Sequence, residues 1–213
     1  MASSLLRFLT SVGRNWKPLN FPKTGFARVP SSQKIEEETF PDYVASRYYP
    51  AGIGEILRDR YQIVGKLGFG VSSTVWLARD LRYYCLSKSL LHSSNYFGSG
   101  KRHVVLKLFI TSTALGKHLD DELNMYKRLE QGSPRHPGRS AVRLLLDTFD
   151  VEGPDGQHRC LVHAPLWESA LAFLHRNPIA KLPAPVLAFT LRRLFQSLDY
   201  LHNECQIIHA GTC

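Results

Sequence analysis

Two glycines separate two short apolar segments in residues 61–80, YQIVGKLGFGVSSTVWLARD. The flanking segments alternate and are rich in β-branched and aromatic residues, which predicts two strands. A bulged hairpin would need one glycine. Backbone lying close to phosphate oxygens would favour both Gly68 and Gly70, because glycine has no Cβ to keep an anion away. The continuation through Ser73 and Val75, with a strand after it, excludes the dinucleotide fingerprint and the Walker loop, which both need a helix there. The stretch is therefore a candidate phosphate loop, with a plain glycine hairpin as the alternative.

One lysine, Lys107, interrupts the strand pattern HVVLKLFI. An exposed lysine whose stem lies along the surface would explain it, but a buried lysine needs an anionic partner. The helical pattern of residues 116–130 offers one, because Glu122 falls within its apolar arc while Asp121 lies almost opposite. Loop, strand lysine and helix glutamate in this order favour a nucleotide site, in which a Lys–Glu ion pair directs the lysine to the α- and β-phosphates.

The elements that must position these residues follow a simple order. Three strands precede the helix, and two more follow it around residues 153–156, GPDG, which are typical of a turn. Two helical patterns come last, at residues 167–175 and 185–203, and Pro185 suits the first turn of the second.

Charge and composition limit the remaining function classes. Residues 1–35 hold six Lys or Arg and no Asp or Glu, so the other residues carry only +3 of the net +9. The basic residues form no patch interleaved with aromatic ones, which argues against a nucleic-acid partner. No apolar run reaches the roughly 20 residues of a membrane span. The four cysteines lack a C-x-x-C spacing and indicate reduced thiols in an intracellular protein.

The N-terminal residues 4–17, SLLRFLTSVGRNWK, have an amphipathic helical pattern without acidic residues. Such a pattern is typical of a mitochondrial transit peptide, and a disordered basic tail is the alternative. The composition becomes acidic from residue 34, where we expect the folded domain to begin.

Together these motifs resemble the N-terminal lobe of a eukaryotic protein kinase of the SR-protein-kinase-like branch. The resemblance covers about residues 34–209 and is carried by RYYPAGIGEILRDRYQIVGKLGFGVSSTVWLARD, HVVLKLF, YKRLEQGSPRHPG, GPDGQHRCLV and LRRLFQSLDYLHNECQIIH. It implies an α+β fold, with a five-stranded antiparallel sheet plus one helix, followed by the first helices of an incomplete C-lobe. The implied parts are a basic segment at 1–35, an N-lobe at 36–165 with a long insertion at 83–100, and a partial C-lobe at 166–213.

The resemblance implies a serine/threonine kinase that transfers the γ-phosphate of ATP to protein serine, often in Arg/Ser-rich proteins, with Mg²⁺ as the family's ion. Lys107 and Glu122 would be the ion pair. The implied nucleotide contacts are Leu67, Gly68, Gly70, Ser73, Val75, Val105, Lys107, Ala164 and Leu166. His163 takes the gatekeeper position, and Pro165 falls at the one hinge position whose N–H is not used, which suits a residue without an N–H. The family's compartments are the cytoplasm and nucleus.

The sequence departs from the family's pattern in two places. Gly211 stands where the catalytic Asp is expected, and no metal-binding Asn or Asp-Phe-Gly follows it. Residues 83–100 replace a short turn, and loops of that length are usually functional or disordered. We therefore expect a truncated, inactive chain, produced by mis-splicing or an incorrect gene prediction. The alternative is a non-catalytic, pseudokinase-like nucleotide-binding or interaction module.

An apolar stripe runs along the last helical pattern. Its members recur at spacings of three and four, with Phe195 beside them: Leu187, Leu191, Leu194, Leu198 and Leu201. Nothing later in the sequence could cover this stripe, and a contiguous exposed apolar surface marks an interaction site or an aggregation liability. The pattern predicts self-association or chaperone binding.

Overall fold

The computed structural model describes residues 14–22, 24–83, 103–111, 113, 118–166, 168–179 and 181–208. Its strands are β1 (Arg14–Asn15), β2 (Ile56–Leu57), β3 (Tyr61–Gly70), β4 (Ser73–Asp80), β5 (Arg82–Tyr83), β6 (His103–Thr111), β7 (Leu145–Gly153) and β8 (Gly156–His163). The α-helices are α1 (His118–Gln131), α2 (Ala170–Arg176) and α3 (Ala184–Asp199), and a π-helical turn (Tyr200–Glu204) continues α3. Short 3-10 helices lie at Glu36–Thr39, Ala45–Arg47 and Pro137–Ala141. The insertion proposed at 83–100 lies almost wholly outside the described residues.

One antiparallel sheet forms the centre of the fold, with strand order β2-β3-β4-β6-β8-β7. The five expected strands are present, and the two-residue β2 adds a sixth at one edge. The predicted turn at 153–156 joins β7 to β8, where Gly153 pairs with Gly156. The predicted α+β fold class is therefore confirmed, with one short strand more than expected.

Strand alternation sends neighbouring residues of β6 to opposite faces of the sheet. Leu106 and Leu108 are almost fully buried in the main core cluster, together with Ile63 and Val162. Lys107 lies between these two leucines and therefore faces the other side, where α1 packs.

The α1 side of the sheet has its own apolar cluster. Phe109 and Leu161 pack there against Leu123 and Tyr126 of α1, and Leu129 is buried further along the same helix face. The helical period of the sequence predicts that Leu123, Tyr126 and Leu129 share one face of this helix, because that period is a local property of the sequence.

Helix α3 docks through one face only. The Tyr200 hydroxyl donates to the Leu129 carbonyl oxygen at 2.6 Å and accepts from Arg139 at 2.7 Å. Gly138 lies so close to α3 that a Cβ there would come 1.8 Å from the Gln196 carbonyl oxygen. The predicted stripe is exposed over its first three members, for example Leu194 at 47%, and Phe195 beside it is 63% exposed. Its last two members are half-buried, and Leu201 packs against the cluster of Leu129 and Tyr200.

The segment before residue 36 also contacts the sheet. The Gln62 side-chain amide exchanges two 2.8 Å hydrogen bonds with the backbone of Leu19, and Arg79 donates to the Lys17 carbonyl oxygen at 3.1 Å. Arg14–Asn15 is a strand paired with β5, so the helical pattern predicted for residues 4–17 does not extend to these positions. Residues 1–13 lie outside the described residues. Folded contacts thus begin earlier than the composition change at residue 34 suggested.

Within the described part of the chain, no helix combines the length and apolar character that a bilayer crossing requires.

Candidate functional site

The glycine loop is the end of the β3–β4 hairpin. Gly68 pairs with Val75, and Gly70 pairs with Ser73. Neither glycine adopts the left-handed region. A Cβ at Gly68 would meet no heavy atom within 4 Å, and one at Gly70 would lie at ordinary contact distance, 3.8 Å, from the Ser73 carbonyl oxygen. The backbone conformation of the free protein therefore requires glycine at neither position.

Lys107 and Glu122 meet between the sheet and α1. The Lys107 ammonium donates to both carboxylate oxygens of Glu122, at 2.8 Å and 2.9 Å. The side chains are 29% and 21% exposed, so solvent reaches the pair in part. The ammonium also lies 4.6 Å from the Phe109 ring centroid. A lysine held this way keeps hydrogen-bonding capacity for a further anion, because its ammonium has three donors.

Sheet register brings the other candidate residues near this lysine. Val75 lies opposite Lys107 on the neighbouring strand β4, and Val105 lies opposite His163 on β8. Val105 is buried and Val75 is half-buried, whereas Leu67 is 56% exposed. These apolar side chains lie beside a lysine. Together they form a surface suited to a ligand that has a flat, partly apolar ring and an anionic group.

Two further candidates lie at the extremes of exposure. Ser73 is buried at the start of β4, and Leu166 is 66% exposed beyond β8.

His163, which was expected at the gatekeeper position, is buried and neutral. Its Nδ1 lies 3.3 Å from the Leu144 carbonyl oxygen, which assigns the ring proton to Nδ1. Burial, aided by the positive charge of Arg143, lowers the pKa of His163 to about 4. Its ring contacts Tyr126 of α1 at a centroid distance of 5.1 Å. The imidazole is therefore uncharged at neutral pH and links β8 to the helix that carries Glu122.

Arg143 contacts the predicted hinge, and the sequence analysis did not foresee this contact. Its Nη2 donates to the Ala164 carbonyl oxygen at 3.1 Å. This is the oxygen expected to accept a hydrogen bond from adenine, and its second lone pair remains available for one. Burial lowers the pKa of Arg143. The only available signal was a single charge inside the apolar run AVRLLL.

Residues N-terminal to β3 also reach the loop, and the sequence analysis missed them too. Lys66, next to Leu67, hydrogen-bonds Glu36 and Glu37. Burial lowers the pKa of Lys66, but its hydrogen bonds to the two carboxylates outweigh burial, so the pKa lies above its ordinary value. The acidic run EEE was the signal for this contact. Tyr48 bonds the loop tip itself and carries no such signal.

In the ranges that the structure covers, no three His, Cys, Asp or Glu side chains come together as a metal-binding group. Gly211, which stands where the family has its catalytic Asp, lies outside those ranges. The described residues thus offer no such group to hold a Mg²⁺ ion by themselves.

Several known proteins are similar in sequence to most of this chain. Over 186 residues it is 36% identical to a serine/threonine protein kinase of Aspergillus fumigatus, covering 87% of this chain and 42% of that protein. It is 32% identical to SRSF protein kinase 3 of Mus musculus, covering 84% of this chain and 28% of that protein. A third relative, the serine/threonine-protein kinase SRPK of Physarum polycephalum, is also 32% identical, with coverages of 82% and 37%. This chain is a homologue of SRPK-type serine/threonine protein kinases.

The homology confirms the resemblance drawn from the sequence, although a scan against protein-family models gives no match. The chain spans less than half the length of these relatives. A crystallised kinase domain superimposes with a TM-score of 0.53 at 16% identity, covering 73% of this chain and 39% of that domain. At that identity the likeness concerns the fold alone, and it identifies the six-stranded sheet with α1 as a kinase N-lobe.

Proposed function

We propose that this kinase homologue binds ATP between its glycine loop and its hinge. The observation that carries the proposal is the Lys107–Glu122 ion pair, formed on the face of the sheet that adjoins a loop with two conformationally unnecessary glycines. The ion pair holds a cation beside the loop, and the glycines remove the Cβ atoms that would keep phosphate oxygens from the backbone N–H groups.

The remaining contacts follow from the same arrangement. Leu67, Val75 and Val105 would enclose the adenine. The Ala164 carbonyl oxygen would accept a hydrogen bond from adenine, and the Leu166 N–H would donate one. Gly68, Gly70 and Ser73 would line the phosphates, with Ser73 contributing backbone because its side chain is buried. All of these contacts except the one from Leu166 belong to one lobe, which we assign to residues 36–165. Residues 166–213 are part of a second lobe, and Leu166 is its first residue.

The proposed reaction of the complete kinase is transfer of the ATP γ-phosphate to serine in Arg/Ser-rich proteins, in the cytoplasm or nucleus. In the sequence given, Gly211 has no carboxylate to accept the proton of a substrate hydroxyl. We therefore expect these 213 residues to bind nucleotide without turning it over. A non-catalytic interaction module is the second candidate, and the exposed apolar face of α3 favours it.

Nucleotide-dependent stabilisation tests the proposal. A ligand present at 100 times its dissociation constant stabilises the folded state by about 2.7 kcal/mol. We expect ATP to raise the melting temperature of the chain and Lys107→Met to abolish the rise. Lys127→Met, which removes an exposed lysine of α1 beyond the pair, is the matched control. A folded chain that shows no shift with ATP contradicts the proposal.

Turnover is a separate measurement. With radiolabelled ATP and an Arg/Ser peptide, phosphate incorporation by the chain should not exceed that of Lys107→Met. Incorporation above this level would show that a group other than residue 211 serves as the base.

A further inference from the structure

Residues 36–48, which precede the sheet, touch the glycine loop at three points. The first is its base. Glu36 and Glu37 of the 3-10 helix both accept hydrogen bonds from the ammonium of Lys66, whose side chain is only 19% exposed. Lys66 directly precedes the loop, so these two carboxylates fix the point at which β3 enters it.

The second and third contacts are on the loop itself. The Phe40 ring lies against the ring of Phe69, the residue between the two glycines, at a centroid distance of 5.7 Å. The Tyr48 hydroxyl lies 3.1 Å from both the Gly70 and the Val71 carbonyl oxygens, so its one hydrogen is shared between them. Burial raises the pKa of Tyr48, which keeps this hydroxyl a donor at neutral pH.

The Tyr48 side chain also reaches the other half of the site. Its ring packs on the cluster of Phe109, Ile110 and Leu161, against which Leu123 and Tyr126 of α1 also pack. The same helix carries Glu122. One side chain therefore connects the loop tip to the packing of the helix that holds the Lys107 partner.

The direction of the loop amides follows from peptide geometry. In a planar trans peptide the N–H points away from the C=O of the same peptide unit. Because the Tyr48 hydroxyl holds the Gly70 and Val71 carbonyl oxygens, it fixes the two peptide units that follow them, and with them the direction of the Val71 and Ser72 N–H groups. Successive N–H groups held in one direction form an anion-binding concavity.

We propose that residues 36–48 are a brace for the glycine loop, and that Tyr48 is a positioning residue for the nucleotide phosphates. This inference rests on the proposed function, since it assigns the loop amides to phosphate. It predicts that loss of the brace weakens the binding of ligands that carry phosphate and leaves the binding of ligands without phosphate unchanged.

Tyr48→Phe tests this by removing only the hydroxyl. In the full chain, titration calorimetry should show ADP binding weakened about threefold to tenfold, the worth of one net hydrogen bond. Adenosine, which has no phosphate, should bind within about twofold of its original affinity, since the lost bond does not touch the adenine contacts. Tyr49→Phe is the matched control, because its hydroxyl bonds Glu55 instead of the loop, and it should leave the ratio of the two affinities unchanged.

A second measurement does not depend on ligand. Amide hydrogen exchange in the loop, residues 67–73, should be faster in Tyr48→Phe than in the unsubstituted chain and unchanged in Tyr49→Phe.

Three outcomes would overturn the brace: equal weakening of ADP and adenosine, which indicates a general structural role; no weakening of either; or unchanged loop exchange. If the unsubstituted chain binds neither ADP nor adenosine, the proposed function fails, and the assignment of the brace to phosphate fails with it. If the unsubstituted chain binds ADP more tightly than adenosine and Tyr48→Phe has the same two affinities, the brace is overturned while the proposed function stands.

Discussion

Replacing Gly68 with alanine separates the two explanations for the glycine loop. A Cβ at Gly68 meets nothing within 4 Å, and its backbone is not left-handed. The free protein can therefore accept alanine, which reduces the conformational freedom of the unfolded chain and stabilises by about 0.4–1 kcal/mol. We expect the melting temperature of Gly68→Ala to rise by about 1–4 °C.

The same substitution, which should stabilise the free protein, should weaken the binding of nucleotide. If the Gly68 N–H meets a phosphate oxygen, the added methyl group occupies the space of that approach. The loss of one hydrogen bond to a charged group costs about 1.5–3 kcal/mol, which weakens binding about 10- to 150-fold. Titration calorimetry with ADP measures the loss, and a thermal melt without ligand measures the stability of the same sample.

Gly65→Ala is the matched control. Gly65 lies on the same strand, outside the loop, and a Cβ there also meets nothing within 4 Å. It should share the small stabilisation and keep the ADP affinity of the unsubstituted chain. Unchanged ADP affinity in Gly68→Ala would refute the phosphate explanation and leave a plain hairpin. Destabilisation of the ligand-free Gly68→Ala chain would refute the steric argument itself.

Three further predictions concern stability and association. Gly138→Ala should destabilise the chain by about 3 kcal/mol in urea unfolding, because the Cβ would overlap the Gln196 backbone; a loss below about 1 kcal/mol would contradict the close docking of α3. His163 binds a proton near its ordinary pKa when unfolded but only near pH 4 when folded. Stability should therefore fall by about 2 kcal/mol between pH 7 and pH 5 through this residue, and His163→Leu should lose that part of the pH dependence. The exposed stripe of α3 should make the 213-residue chain oligomeric or chaperone-bound on size-exclusion chromatography. Leu191→Glu with Phe195→Glu should shift it towards monomer, whereas a monodisperse unsubstituted monomer would count against the stripe.

The sequence by itself determined the sheet-and-helix order and the partners of the ion pair. Lys107 was identifiable because it interrupts an apolar strand, and Glu122 because it falls within the apolar arc of an amphipathic helix. Both signals are local periodicities, which can be detected without knowledge of the fold. The two-residue β2 was not predictable, because so short a strand has no period to detect.

Only the tertiary structure decided what surrounds that pair. Tyr48 reaches the carbonyl oxygens of Gly70 and Val71 across more than 20 residues of chain, and Arg143 reaches the Ala164 carbonyl oxygen across 21. These contacts bind side chains to backbone oxygens, and every residue has such an oxygen, so no pattern of residue types marks the acceptor. The same holds for Gln62 and Arg79, which bind backbone oxygens of the N-terminal segment. Which backbone oxygens a polar side chain meets depends on how the chain folds back on itself, and residue spacing does not encode it.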